Sequence, residues 1–445
     1  MIVHSKFVTI PHTCVEYVHP WTNSCAAAST GLLLAAIPEA LRIYITAYTL
    51  ALLMRGKIPS KKDIKRTILG ILQSSAFLTC HAFGYSMVNC LLRRILGHYN
   101  FLTVSFLPCF ISSIFAILVE RPSRRSLLSL YVTNVASETL YRMAVYRGLI
   151  RPIQFGEVLI FSLSTSFLLY FFRNQQSDSF RDSIFSLFRF VVGRHEEMND
   201  DKSESSPVPG SSQIRNLNFF DPVFHFADWL KLQTLNPCCP HPFGCAYYAA
   251  QGLTKLFAVG YGLQLSLKIL IHSKRIMKHP RLLPKIMIRP DTMKLGAFLG
   301  GFSFLFRAVS CSLRKLYGRD DQKFAIPAGF LAGFSFFFYR DNTIALYVMW
   351  KTFQILYNRG AEKKMLPELP QASVFFHCLS TAILFHAALL EPHNLRPSYW
   401  RFLLGMSGER VARMDRKCLD AFGLESSKSL ELVLSRTKIE TRPVL

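Results

Sequence analysis

The run from Phe101 to Val119 contains no charged side chain, and Glu120, Arg121, Arg124 and Arg125 follow it at once. A helix needs about 20 mostly apolar residues to cross roughly 30 Å of hydrocarbon, and within lipid only helices and closed barrels satisfy their own backbone. Such a run restricts the chain to a membrane fold, and the basic exit marks where the span meets water. Ser373 to Leu390 is equally free of charge. Further apolar stretches are Ala26 to Met54, Thr67 to Leu92, Ser126 to Tyr146, Phe155 to Phe172, Tyr247 to Ile271, Met293 to Leu313, Phe324 to Tyr339 and Asn342 to Tyr357, which makes about ten segments. Several carry charges: Glu39 with Arg42, Glu138 with Arg142, Lys255, Arg307 and Lys351. Each such charge costs about 2.5 to 3.5 kcal/mol at a helix centre. These side chains are expected to face protein or a wet cavity rather than lipid.

Composition removes the competing classes. Half the residues are hydrophobic, 38 are Phe, and the formal net charge is +24. That is too apolar for a disordered chain and too poor in charge for a soluble one. The basic excess is not accompanied by a finger, a basic zipper or an aromatic RNA-binding signature, so nucleic acid is not an expected partner. Basic loops flanking membrane segments account for it, and the lipid bilayer is the expected partner. Residues Met1 to Cys25 have neither the apolar core of a signal peptide nor an Arg-rich amphipathic presequence, so internal targeting to an organelle membrane is expected. The sequence contains no G-x-S-x-G, H-E-x-x-H or GxxxxGK[ST] motif and no dinucleotide fingerprint. No catalytic residue and no cofactor is assigned, and the chain is not expected to be an enzyme.

The chain is a tandem duplication. Phe77 to Gly97 aligns without a gap to Phe298 to Gly318, with identities that include Cys90 and Cys311, Arg93 and Arg314, and Gly97 and Gly318. Further matches follow in order: Pro108 with Pro327, Tyr131-Val132 with Tyr347-Val348, Arg147-Gly148 with Arg359-Gly360, Leu163-Ser164-Thr165 with Leu379-Ser380-Thr381, and Arg189-Phe190 with Arg401-Phe402. The lead-ins His19-Pro20-Trp21 and His241-Pro242-Phe243 are alike as well. The expected fold is an all-α membrane protein of two tandem pseudo-repeated helical bundles with about 8–10 membrane helices. The first repeat spans 12–193 with a Cys/His lead-in, and 194–220 reads as a polar, acidic, disordered linker. The second repeat spans 221–407 with a Cys-rich lead-in, and 408–445 forms a basic tail in which Glu409 to Leu434 is expected to lie as an amphipathic helix on the membrane surface. The repeat is inverted if each half crosses five times and parallel if it crosses four times.

Four sets of residues stand out. Gly296 with Gly300 and Gly329 with Gly333 are spaced by four, which lets a neighbouring helix backbone approach; oligomer contacts and a pore lining are the alternatives. Cys238, Cys239, His241 and Cys245, with His12, Cys14, His19 and Cys25 in the first lead-in, carry zinc-type donors. Adjacent cysteines and the absent C-x2-C spacing argue against one small cage, so no metal is assigned, and disulfide, acylation and plain packing stay open. Glu138 and Arg142 pair at i, i+4, and Gln354 and Asn358 stand at the matching positions. With Lys255 and Arg307 they are the intramembrane polar candidates, and either cation is suited to a lipid phosphate.

IPHTC at Ile10 to Cys14, the run from Val119 to Met143, LGAFLG at Leu295 to Gly300 and LRPSYWRFLLGMS at Leu395 to Ser407 together resemble the transmembrane protein 135 family over nearly the whole chain. Arg396, Tyr399 and Trp400, directly after the last apolar run, are suited to an interfacial anchor. The resemblance implies a multipass protein of mitochondrial and peroxisomal membranes whose second half is related to the channel family of the mitochondrial inner-membrane translocases. It further implies a regulatory role that promotes mitochondrial fission and supports peroxisome and lipid homeostasis, with the fission machinery and anionic lipids as partners. A transporter or lipid conduit between the two repeats is the alternative that duplication and buried charge suggest.

Overall fold

A computed structural model of the chain describes residues 8–54, 59–174, 183–197, 231 and 236–437. Six principal helices belong to the first repeat: α1 (Cys25–Met54), α2 (Lys61–Leu96), α3 (Phe106–Val119), α4 (Pro122–Tyr146), α5 (Gly156–Arg173) and α6 (Ser183–Val192). The second repeat supplies α7 (Cys245–Lys278), α8 (Pro290–Tyr317), α9 (Ala325–Gly333), α10 (Asn342–Glu362), α11 (Ala372–Leu390) and α12 (Pro397–Ser407), and α13 (Ser426–Thr437) follows. The residues matched in the duplication fall on corresponding helices of the two sets.

Local chemistry sets several of the boundaries. Ser60 and Asp63 form a capping box at the start of α2, which satisfies two free N–H groups reciprocally. α2 ends at Gly97 (φ 72°) and α8 at Gly318 (φ 64°), each N–H returning to the carbonyl of the matched arginine, Arg93 and Arg314. Glycine occupies the left-handed position there without the penalty of a Cβ. Pro122, Pro290 and Pro397 open α4, α8 and α12, where their missing N–H costs no hydrogen bond.

The chain forms two compact units, 1–152 with 360–445, and 153–359. Their limits differ from those of the repeats, because the fifth and sixth helices are exchanged. Unit 1 holds α1 to α4 completed by α11, α12 and α13; unit 2 holds α7 to α10 completed by α5 and α6. Within unit 1, α11 packs on α3 and α4, and α12 on α1; within unit 2, α5 packs on α9, and α6 on α8. The two fifth helices share the Leu-Ser-Thr face seen in the duplication, so each docks by the same means. Ser380 of α11 hydrogen-bonds Thr133 of α4 at 3.0 Å, and the carbonyl of Ser164 in α5 accepts from Thr352 of α10 at 3.3 Å. The matched arginines serve matched ends: Arg147 donates to Glu391, just past α11, at 2.9 Å, and Arg359 donates to the Phe171 carbonyl near the end of α5 at 3.1 Å. Exchange between like elements preserves such contacts and so costs little.

Among the described residues, six helices are long and apolar enough to cross a membrane: Cys25–Leu52, Lys61–Leu96, Gly156–Arg173, Cys245–Lys278, Pro290–Tyr317 and Ala372–Leu390. The protein is an all-α, multipass membrane protein, with fewer full-length spans among the described residues than the apolar runs suggest. Phe101–Val119 is the clearest departure. Its first residues form turns and only Phe106–Val119 is helical, 14 residues, or about 21 Å at 1.5 Å per residue. Phe324–Tyr339 likewise divides into α9 and a 3-10 stretch, Phe334–Tyr339. α4 and α10 form along their full runs but are too polar to count as spans.

The tail also differs from expectation. Instead of one amphipathic surface helix, Glu409 to Leu434 folds as a short helix at Arg410–Arg413, a 3-10 turn at Lys417–Phe422 and α13. Leu430 and Val433 are buried in the cluster that contains Trp400, which holds this segment on protein rather than lipid. Residues 438–445 lie outside the described ones. The polar linker departs at its start, where Arg194–Glu196 forms a 3-10 turn with Glu196 buried; residues 198–220 are likewise outside the described ones.

Candidate functional sites: a cavity and two cysteine–histidine clusters

Unit 1 contains a partly open cavity of about 420 Å³, within the range of roughly 300 to 1,000 Å³ usual for small-molecule sites. Its wall is largely apolar, aliphatic side chains alternating with aromatic ones such as Phe77, Tyr85, Phe385, Tyr399 and Phe402. The first repeat contributes α1, α2 and α4 to this wall and the second contributes α11 and α12, an arrangement that follows directly from the helix exchange. Its polar members include His81, His377 and Arg410, with the hydroxyls of Ser86, Thr381, Ser398 and Ser407. The ring of His81 contacts Ser113 Oγ at 3.0 Å. His377 is 3% exposed, yet its Nδ1 has no hydrogen-bond partner among the described residues. Arg410 donates to the Gly31 carbonyl at 2.6 Å, which holds a cation against α1 beside an otherwise apolar space.

The intramembrane polar candidates are engaged rather than free. Glu138 is buried and accepts from Arg142 at 2.5 Å and from Arg396 Nε at 2.5 Å, so one carboxylate is shared by two guanidinium groups. Arg307 is 5% exposed and donates to the carbonyls of Val192 and Tyr248, each at 2.9 Å. It thereby binds the C-terminal end of α6, where a cation also meets the negative end of the helix dipole. Its guanidinium lies 4.2 Å from the Tyr248 ring centroid. Lys255 is exposed on α7, with its ammonium 5.2 Å from the Phe190 ring. Sequence reasoning missed several buried charges, Glu120, Arg173, Glu391 and Arg416 among them, and above all Glu196, which meets Arg314 through two contacts, 2.5 and 3.2 Å, with both side chains fully buried. Asp320 joins through Arg314 Nε at 2.8 Å and Arg173 at 2.5 Å. Burial pushes the Asp320 carboxyl up, but Arg173 and Arg314 together hold it below its ordinary value.

The interfacial anchor requires correction. Trp400 is 1% exposed and Tyr399 is 8% exposed within one hydrophobic cluster of unit 1, and Arg396 is committed to Glu138. The motif reads as amphipathic because its polar member balances a buried acid. The glycine pairs sit at helix crossings. A Cβ on Gly296 or Gly300 would lie 2.8 Å from a carbonyl oxygen of α7, and one on Gly260 of α7 would lie 2.7 Å from the Leu295 carbonyl. Gly329 and Gly333 lie against the α5 backbone at Ser166 and Ser162.

The cysteines and histidines assemble into two groups of four. Cys14, His19, Cys25 and Cys90 have all donor atoms within 4.8 Å of one another, and so do Cys239, His241, Cys245 and Cys311. Cys238 is excluded, because its thiol donates to the Gly318 carbonyl at 3.2 Å. His12 is excluded too, since its ring contacts Glu16. In the first group the Cys14 and Cys25 sulfurs are 3.5 Å apart and Cys90 Sγ is 3.5 Å from His19 Nε2. In the second, Cys239 and Cys245 are 3.7 Å apart and Cys311 Sγ is 3.2 Å from His241 Nε2. Hydrogen bonds from Cys311 first, then from His241 and Cys245, pull the Cys239 thiol down to about 4, whereas burial raises that of Cys14. Alignment of Cys90 with Cys311 was the available signal for the fourth member of each group.

Residues 11–145 match the family model for the N-terminal cysteine-rich region of Transmembrane protein 135. That match covers Cys14, His19, Cys25 and Cys90, together with α1 to α3 and nearly all of α4. No solved structure matches the chain.

Proposed function

We propose that the protein is a non-enzymatic membrane regulator of mitochondria and peroxisomes that binds a lipid-like molecule in the cavity of unit 1 and promotes mitochondrial fission and peroxisomal lipid homeostasis in response. The observation that carries this reading is the cavity, with its apolar wall, the fixed cation of Arg410 and the unsatisfied ring nitrogen of His377. An apolar chain with a small anionic head has the matching chemistry. Similarity of residues 11–145 to the Transmembrane protein 135 region supports the cellular role, and anionic lipids and the fission machinery are the partners it implies.

Ala82 lines the cavity from α2. Ala82→Trp fills part of the space and is expected to lower lipid co-purifying with the full chain, read by lipid mass spectrometry, by at least fivefold, while Arg410→Gln lowers retention of anionic species selectively. In cells lacking the protein, mitochondria are expected to lengthen; wild type restores their length and Ala82→Trp does not. Full rescue by an Ala82→Trp chain that retains no lipid would remove the ligand from the mechanism. The second reading is a lipid conduit, favoured by the contribution of helices from both repeats to one cavity. Lipid transfer between proteoliposomes above the empty-vesicle rate, abolished by Ala82→Trp, would replace the regulator with a conduit.

A further inference from the structure

The two cysteine–histidine clusters have a common design that hydrophobic packing does not require. Each combines three cysteines and one histidine, three donors coming from a short lead-in and one from far along the chain, at Cys90 on α2 or Cys311 on α8. In each, the histidine Nδ1–H donates to a backbone carbonyl just downstream, His19 to Thr22 at 2.9 Å and His241 to Phe243 at 2.6 Å. A carbonyl can only accept, so the proton is fixed on Nδ1 and the lone pair of Nε2 is turned toward the sulfurs. That is the outer hydrogen bond by which metal-binding histidines are oriented. Both rings are buried, with His19 0% and His241 6% exposed.

We propose that each cluster is a structural zinc site, Cys14-His19-Cys25-Cys90 in unit 1 and Cys239-His241-Cys245-Cys311 in unit 2. Tetrahedral zinc with Zn–S bonds of about 2.3 Å places ligand sulfurs about 3.8 Å apart, and a sulfur and a nitrogen about 3.6 Å apart. The closest pairs are 3.2 to 3.7 Å apart and all donors of each group lie within 4.8 Å of one another, the size of cage that a single small ion draws together. Four donors this close cannot embrace a cluster of several irons. Three thiolates and a neutral imidazole around Zn²⁺ leave one negative charge. Arg93 follows Cys90 by three residues, one helical turn away, and donates to the neutral carbonyls of Pro11 and His12, so its charge can offset it in the first site; Arg314, three residues after Cys311, is shared with Glu196 and Asp320. Each ion would fasten the lead-in to the far end of the helix pair it precedes, α1–α2 or α7–α8, so the duplicated unit includes its own staple. The spacings, C-x4-H-x5-C and C-x-H-x3-C before the distant cysteine, differ from finger motifs because the fourth ligand comes from the tertiary fold.

The test is metal content of the full chain purified in detergent, without chelators and under reducing, anaerobic conditions. About two zinc ions per chain are expected by inductively coupled plasma mass spectrometry. Cys90→Ser and Cys311→Ser should each lose one ion, the double variant both, and Cys238→Ser neither. The wild-type chain supplies a readout independent of variant folding: a mercurial should release zinc to a chromophoric chelator in proportion to the thiols it titrates. Cobalt exchanged into the sites should show the intense absorption of tetrahedral thiolate ligation. Less than half an ion per chain with these thiols free would overturn the proposal, as would disulfides mapped between Cys14 and Cys25 or between Cys239 and Cys245.

Discussion

Arg314→Met is expected to destabilise unit 2 by about 3 to 5 kcal/mol, the usual result of removing one partner from a fully buried ion pair. Glu196 would keep its charge with nothing to balance it, and Asp320 would retain only Arg173 of its two cations. The measurement is thermal unfolding of the detergent-solubilised chain by intrinsic fluorescence. The double variant Arg314→Met/Glu196→Met should recover most of the loss, because the stranded charge is gone and two apolar side chains fill the space. A loss under about 1 kcal/mol in the single variant would show that the pair is far more hydrated than its burial implies. The sign of the acid response follows from Asp320. Its folded value is depressed by the two arginines, so its contribution is complete above its ordinary value and is lost as pH falls through the depressed one. The contribution of Asp320 to unit 2 should therefore be lost in acid.

Gly333→Val is the second large effect. A Cβ at this position falls on the Cα and side chain of Ser162 in α5, and backbone cannot move aside as a flexible side chain can. α5 and α9 must separate, at a cost of about 3 kcal/mol. Because α5 belongs to the other repeat, the variant also tests the exchange: disulfide trapping between cysteines introduced at Ser166 and Gly329 should weaken in its presence. Gly262→Ala is the contrast. Nothing lies within 4 Å of its Cβ position, so improved helix propensity should leave it neutral or more stable by about 0.5 to 1 kcal/mol. Equal losses at both positions would remove close helix approach as the explanation.

The candidate sites were unevenly legible. Cys239, His241 and Cys245 stand close together in the sequence, and their donor types are visible there. Their partner Cys311 is marked in the sequence by its alignment with Cys90 but not as a ligand, since a residue on a distant helix joins a ligand set only when the helix pair closes. Glu196 was hidden for a related reason. Its neighbours are polar and acidic, which reads as solvated chain, and only Arg314 at the end of α8 reveals that it is buried. Arg396, Tyr399 and Trp400 have the composition of a membrane anchor, but composition does not distinguish a ring placed at an interface from one packed beneath a helix. Arg307 and Glu138 stand out in the sequence as charges within apolar runs; that they close on protein carbonyls and guanidinium groups depended on their surroundings.

The amino-acid sequence by itself determined the solvent and the architecture: apolar runs can be buried only in lipid or in a helical core, and the ordered identities between 12–193 and 221–407 define one helical unit used twice. Local rules also set particular boundaries, such as glycine at the left-handed ends of α2 and α8. Tertiary structure alone decided which copy of the fifth and sixth helices completes each unit. The reason is physical: the duplicated helices carry the same docking face, so the sequence signal for either pairing is the same. It also decided which apolar runs form helices long enough to span and which cysteines and histidines meet, since both depend on where helices stop and cross.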